Sequence, residues 1–248
     1  VAVFGADTDA SPYDSGSYAS STTYITGKAV ERACADLKTQ ICAIAAGMLD
    51  CEPTEVVFEG KQVRRPDTGE AVSLEQIGYK TQAASTQAAE ATVSHSSPIS
   101  PPPFMVGMVE IELDKETGLV TVLDYMAVVD CGLPINPALA RIQTEGGIVQ
   151  GIGHTLMEDV RYDHNGRPIG SSFMQYKLPT RLDMGRLHVE FEHSFEPTGP
   201  FGAKSIGEIV INTPAPALTH AIYRATGVWH RELPITPEKI ALSRPEPS

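Results

Sequence analysis

Two apolar, β-branched stretches, Val106 to Leu113 and Leu119 to Val129, flank Asp114-Lys115-Glu116-Thr117-Gly118, and this pairing constrains the fold first. It reads as a β-hairpin with a long turn. The segments around it follow a different period. Ala29, Val30, Ala33, Leu37, Ile41, Ile44 and Met48 recur at helical spacing and predict one long helix, preceded by a Ser/Gly/Tyr-rich loop that runs from Asp7-Thr8-Asp9 to about Thr26. Asn136 followed by Pro137 suits a helix start, with helical tendency as far as Met157 but broken at Gly146, Gly147, Gly151 and Gly153.

Shorter elements fill the remainder. Val1-Ala2-Val3-Phe4 reads as a strand entered midway, and Glu55 to Glu59 as a short strand ahead of the turn at Arg65-Pro66-Asp67-Thr68-Gly69. Ser73 with Gln76 fits a capping box. Residues 83–103 are rich in Ser, Thr, Ala and Pro and read as loop or linker, because Pro101-Pro102-Pro103 supplies no backbone donors and cannot continue a helix. Strands are expected around Val160 and from Leu187 to His193. A helix is expected from Pro214 or Pro216 to Thr226, closed by Gly227, and a last short one at Thr236-Pro237-Glu238. Hairpins with interspersed helices predict the α+β class: mixed sheets with packed helices, as one unit of residues 1–248 or as lobes 1–100 and 101–248.

Composition excludes several functions. A hydrophobic share of 42% supports a packed core and excludes wholesale disorder. The net charge of −12, with Lys and Arg scattered, argues against a nucleic-acid partner. No apolar run is long enough to span a bilayer, the N-terminus lacks signal-peptide order, and no disulfide framework is visible, so a reducing cytoplasm is expected. The missing initiator Met suggests a fragment, a processed product or one piece of a split protein.

Familiar site motifs fail on inspection. Cys34, Cys42, Cys51 and Cys131 lack zinc or iron–sulfur spacing, and three of them fall on or near the long helix. Cys131 reads as a buried structural thiol, because no partner base is identifiable. The seven histidines form no ligand pair, and His164 reads as a surface turn residue. Asp7-Thr8-Asp9 opens like a calcium loop but meets Pro12 where glycine belongs. Gly146 to Gly153 has neither dinucleotide nor phosphate-loop order and reads as helix packing. Ser20, Ser21, Thr22 and Thr23 read as turn or cap residues. One segment stands out: Pro200-Phe201-Gly202-Ala203-Lys204-Ser205-Ile206-Gly207-Glu208 sets a single carboxylate among small residues that admit a close approach of backbone to a bound group.

A resemblance gives these residues a context. Asp7 to Ser20, Gly27-Lys28-Ala29-Val30, Asp130-Cys131-Gly132 with Ile135-Asn136-Pro137, Gln143 to Gly153, Tyr176 to Thr180, the Glu208 segment and Leu233 to Glu238 resemble, in order, the molybdenum-binding part of the xanthine oxidase and aldehyde oxidoreductase family. The resemblance covers the C-terminal portion of that family's molybdenum subunit. The upstream Gly-Gln-Gly-type loop and the substrate segment of the family are absent, so it implies a partner chain or portion that supplies them and an isolated chain that is inactive.

The resemblance implies a molybdopterin cofactor, as its cytosine dinucleotide, whose molybdenum takes no protein side chain as ligand. Glu208 is implied as the general base that takes the proton of the hydroxyl whose oxygen enters the product. Ala19 is implied beside the metal centre, Tyr18 beside the substrate, and Ser20, Ser21 and Thr22 along the pterin or phosphate. Gln143 is implied on the pterin system and Lys204 on an anion. The family commonly has Arg where Ser21 stands and Gly where Ser205 stands. The implied reaction is hydroxylation of a purine- or nicotinate-like N-heterocycle or an aldehyde with oxygen from water. Electrons then pass to 2Fe–2S clusters and FAD on partner chains, an iron–sulfur subunit and an FAD subunit. The rival readings are a non-catalytic structural or assembly segment and a carbon monoxide dehydrogenase-like relative.

Overall fold

The computed structural model describes residues 2–5, 7–14, 16–83 and 88–244. The chain divides into two compact units. One takes residues up to Gly16 together with Ile25–Pro98, and the other takes Ser17–Tyr24 and everything from Ile99 onward.

In the first unit, α1 (Gly27–Met48) is followed by the antiparallel strands β1 (Val57–Glu59), β2 (Gln62–Arg64) and β3 (Ala71–Ser73), then by α2 (Leu74–Ala83). Only the second half of the apolar stripe of α1 is buried. Ile41, Ala45 and Ala46 pack with Val56, Val63, Val72 and Ile77, whereas Val30 stays about half exposed. Cys34 and Cys42 lie on α1 and Cys51 just beyond it, all as free thiols. The capping box is formed as expected: the Ser73 amide donates to Gln76 Oε1 at 2.8 Å and the Gln76 amide to Ser73 Oγ at 3.1 Å.

The second unit is built on β4 (Phe104–Leu113) and β5 (Val120–Asp130), the expected hairpin. After α3 (Pro137–Leu156) and the two-residue strands β6 (Arg161–Tyr162) and β7 (Pro168–Ile169), β8 (Arg186–Phe191) joins β5 in parallel, giving the order β4-β5-β8. Next come α4 (Pro214–Thr226) and α5 (Pro237–Leu242). Alternation along β4 and β5, reset by the register shift opposite Glu110 and Ile111, turns Met105, Val109, Val122, Tyr125 and Ala127 toward one face. There Ile148 and Ile152 of α3 and Leu218 and Ile222 of α4 complete a core whose helix residues are fully buried.

Three expectations are corrected. Residues 2–4 form no strand, Val3 and Phe4 are exposed, and Val1 lies outside the described residues. The loop before α1 stops short of Thr26, since Thr22–Thr26 forms a turn of π-helix leading into α1. The third concerns α3, which runs unbroken through all four glycines because tertiary packing outweighs the roughly 1 kcal/mol that each glycine costs. Of the expected linker 83–103, positions 84–87 lie outside the described residues, and Ala88–Pro103 has no regular structure.

Two adjacent glycines of α3 should answer the same substitution with opposite signs. A Cβ on Gly147 would stand 2.2 Å from Val210 Cγ2, whereas one on Gly146 would meet nothing within 4 Å. Gly147→Ala is expected to destabilise, because overpacking costs about 1–3 kcal/mol against a propensity gain of about 1 kcal/mol. Gly146→Ala is expected to stabilise by up to about 1 kcal/mol. Thermal melts of the two variants check both signs.

Candidate functional site

The carboxylate singled out in the sequence sits at the end of a loop pinned to the tip of β5. Gly132, with φ of 69°, forms a β-bridge with Ala203, and a Cβ there would stand 2.3 Å from the Gly202 carbonyl oxygen. The Leu133 amide donates to Gly202 O at 2.9 Å and the Lys204 amide to Cys131 O at 2.7 Å. An ion pair adds to this backbone weld: Lys204 Nζ donates to Asp130 Oδ2 at 2.6 Å. Asp130 Oδ1 accepts from Ser194 Oγ at 2.5 Å and from the Gly132 amide at 3.1 Å. The ammonium also lies 5.6 Å from the centre of the Phe104 ring.

Beyond that anchor, the loop turns back to meet Ser20 and Gln143. The Glu208 amide donates to Ser20 Oγ at 2.8 Å, and the same hydroxyl donates to Glu208 Oε2 at 3.1 Å. Gln143 Nε2, on the second turn of α3, donates to Gly207 O at 3.1 Å. Ala19 and Ser20 both carry left-handed backbone, with φ of 49° and 56°, a conformation that costs non-glycine residues energy and persists only when the surroundings enforce it. Tyr18 O accepts from the Ser21 amide at 3.0 Å, and Thr22 Oγ1 donates to Ser17 Oγ at 2.7 Å. Tyr18 and Ala19 are exposed at this loop. Ser205 does not have positive φ, so its backbone does not require glycine.

Glu208, Ser20 and Gln143 are therefore brought together from positions as far as 188 residues apart. Ser21 and Thr22 share their loop. Lys204 has a different placement: its side chain is only 11% exposed, and its ammonium pairs with Asp130 and donates a longer bond to Pro102 O at 3.4 Å. Asp130 enters the sequence reading only within the Asp130-Cys131-Gly132 motif, with no role of its own, and Ser194 does not enter it. The one signal for them was a lysine in a run of small residues, which needs a carboxylate when it is buried. A concavity of about 390 Å³ lies at the start of α4 and is walled by Trp229, His220 and Leu233 among others, but none of the expected site residues lines it.

Burial pushes the Asp130 carboxyl up, yet the hydrogen bonds from Lys204, Ser194 and the Gly132 amide outweigh it and hold the group below its ordinary value of 3.8. Between the two values the folded state binds fewer protons than the unfolded one, so this contribution is complete above about pH 4–5 and is lost as pH falls through the lower, folded value. The Tm difference between the protein and Asp130→Asn is accordingly expected to be constant near neutrality and to shrink below pH 4. Burial, and next the Asp130 charge, push the Cys131 thiol up, which leaves it a poor nucleophile.

The donor set suits an anionic heterocycle. Of the hydroxyls on the 20–22 loop, those of Ser20 and Thr22 donate to Glu208 and Ser17, which leaves the Ser21 hydroxyl for a ligand, and the Gln143 amide keeps its Oε1 and a second N–H. Among the described residues Glu208 makes no ion pair, and no group of three or more His, Cys, Asp or Glu side chains converges as a metal would require. No helix among them is long and apolar enough to cross a membrane.

Comparison with known proteins gives the family and the fold. Residues 1–185 match the sequence model of the molybdopterin cofactor-binding domain family. The chain is 36% identical over 242 residues to the probable hypoxanthine oxidase XdhD of Escherichia coli K12, covering 97% of this chain and 25% of that protein. It is 32% identical over 251 residues to the 6-hydroxypseudooxynicotine dehydrogenase complex subunit gamma of Paenarthrobacter nicotinovorans, covering 97% and 31%. The crystal structure of quinoline 2-oxidoreductase from Pseudomonas putida 86 is similar with a TM-score of 0.77 at 28% identity, covering 94% of this chain and 31% of that one. The chain thus spans about a quarter to a third of the length of these proteins.

Proposed function

Because the chain belongs to the molybdopterin cofactor-binding domain family of the molybdenum hydroxylases, we propose that it supplies the general base and part of the cofactor cradle of an enzyme that hydroxylates an N-heterocycle, purine- or nicotinate-like, or an aldehyde, with oxygen from water. The observation that carries this reading is the Glu208 carboxylate, which is exposed, free of ion pairs among the described residues, and held by one oxygen only. When bound, the molybdopterin supplies the molybdenum that accepts the two electrons of the oxidation.

The residues of this chain do the remaining work. Glu208 Oε2 is fixed by Ser20, which leaves Oε1 to remove the proton from the water-derived hydroxyl as it attacks the electron-poor carbon. The Gln143 amide, the Ser21 hydroxyl and the backbone at Thr22, whose own hydroxyl donates to Ser17, hold the pterin and its phosphate in the form of the cytosine dinucleotide. Ala19 keeps the approach to the metal clear, and Tyr18 borders the substrate. Lys204 has no role at the anion, because Asp130 neutralises it. The relatives named as an oxidase of hypoxanthine and as a subunit of a dehydrogenase complex support a heterocyclic substrate and an assembly of several subunits. In that assembly, in the cytoplasm, another portion completes the molybdenum site and electrons leave through 2Fe–2S clusters and FAD on partner chains.

The test uses the assembled protein. It is expected to contain molybdenum and an oxidisable, fluorescent pterin in equal amounts, and turnover in heavy-oxygen water is expected to label the product. A product labelled from dioxygen instead, or an active preparation without molybdenum, would sink the proposal.

A further inference from the structure

We propose that Ser20 is a positioning residue for Glu208 and not a ligand of the cofactor, an inference that rests on the reading of Glu208 as the base. A serine hydroxyl has one proton to give and two lone pairs. Here the proton goes to Glu208 Oε2 at 3.1 Å, and one lone pair receives the Glu208 amide at 2.8 Å. An anionic cofactor is recognised by donors, and the only side-chain donor of Ser20 is already directed at the carboxylate.

Three further features point the same way. The peptide group that joins Gly207 to Glu208 is held at both of its polar atoms, its carbonyl by Gln143 Nε2 at 3.1 Å and its N–H by Ser20 Oγ. That fixes the plane of the peptide, and the same serine then fixes the carboxylate that the peptide carries. A Cβ on Gly207 would stand 3.1 Å from Ser20 Oγ, so the close approach of the hydroxyl depends on glycine there. Finally, the paired left-handed residues Ala19 and Ser20 turn the loop so that Oγ faces a residue 188 positions away. Such a backbone is retained only where other interactions over-determine it. A glutamate otherwise free to sample many rotamers is thereby kept in one, with a single oxygen left for chemistry.

The experiment is a double-variant cycle in the assembled, cofactor-loaded enzyme. Ser20→Ala is expected to lower kcat about ten- to a hundredfold, the size of a lost hydrogen bond to a charged group, with KM and the molybdenum and pterin content unchanged. Gly207→Ala, which keeps the hydroxyl but displaces it, is expected to lower kcat in the same direction by less. On a Glu208→Gln background, Ser20→Ala is expected to cost nothing more, and hydrogen exchange of the Glu208 amide is expected to accelerate in Ser20→Ala while the rest of the protein keeps its protection. Pterin loss in proportion to lost activity would make Ser20 a cofactor ligand and overturn the inference. So would a wild-type kcat in Ser20→Ala beside an inactive Glu208→Gln, an outcome that leaves the base assignment standing. An active Glu208→Gln removes the base assignment and this inference together.

Discussion

Glu208→Gln in the assembled enzyme is expected to lower kcat by about a hundred- to ten-thousandfold, the usual contribution of a positioned general base, while molybdenum and pterin content and the melting temperature stay close to wild type. The substitution is nearly isosteric. Its amide oxygen can still accept the hydrogen bond from Ser20 Oγ that Glu208 Oε2 accepts at 3.1 Å, so the loop has no reason to move. What disappears is the ability to take a proton. Because the residue is exposed and makes no ion pair among the described residues, the loss cannot be attributed to a broken structural contact. Steady-state kinetics with cofactor analysis on one preparation decide the matter. Turnover within a factor of a few of wild type would remove Glu208 from the chemistry.

The second large effect is on stability, and it concerns the ion pair that ties the same loop to the end of β5. Asp130→Ala is expected to destabilise the protein by about 3 kcal/mol, at the lower end of what stranding one member of a buried ion pair costs. The Lys204 side chain is only 11% exposed, and Ser194 and the Gly132 amide lose their acceptor together with it. In a chain of this size that corresponds to a fall in Tm of roughly 10 °C. Lys204→Met alone should cost less, because the Asp130 carboxylate keeps two hydrogen bonds. The double variant Asp130→Ala with Lys204→Met should recover much of the loss, since no charge is then left without a partner. Calorimetry on the three variants checks this order, and a double variant as unstable as Asp130→Ala alone would contradict it.

Much of the secondary structure was legible because its signals are local. The capping pairs at Ser73 and Asn136, the left-handed Gly227 after α4 and the Thr236 cap all form where the sequence placed them, since each depends on residues within three or four positions. The strands β2 and β3 carry no strand signal because Gln62-Val63-Arg64 and Ala71-Val72-Ser73 each hold one β-branched apolar residue, whereas Val56, Val57 and Phe58 follow in a row at β1. Continuity of α3 was misjudged for a related reason: the glycines lower intrinsic helix stability, and only contacts such as Gly147 against Val210 reverse that outcome. The resemblance implies Lys204 at an anion, and nothing in its chain neighbours points to Asp130, 74 residues earlier.

By itself, then, the sequence determined the main helices and the β4-β5 hairpin, the α+β character and a lone carboxylate in a run of small residues, because each of these is written in spacing, caps and composition over short distances. The tertiary structure alone decided which polar atoms meet: Ser20 with Glu208, Gln143 with Gly207, Asp130 with Lys204. The physical reason is one of range. A hydrogen bond between loops requires its donor and acceptor within about 3 Å, and at separations of 64 to 188 residues only the packing of α3 and the β4-β5-β8 sheet brings the two loops that close.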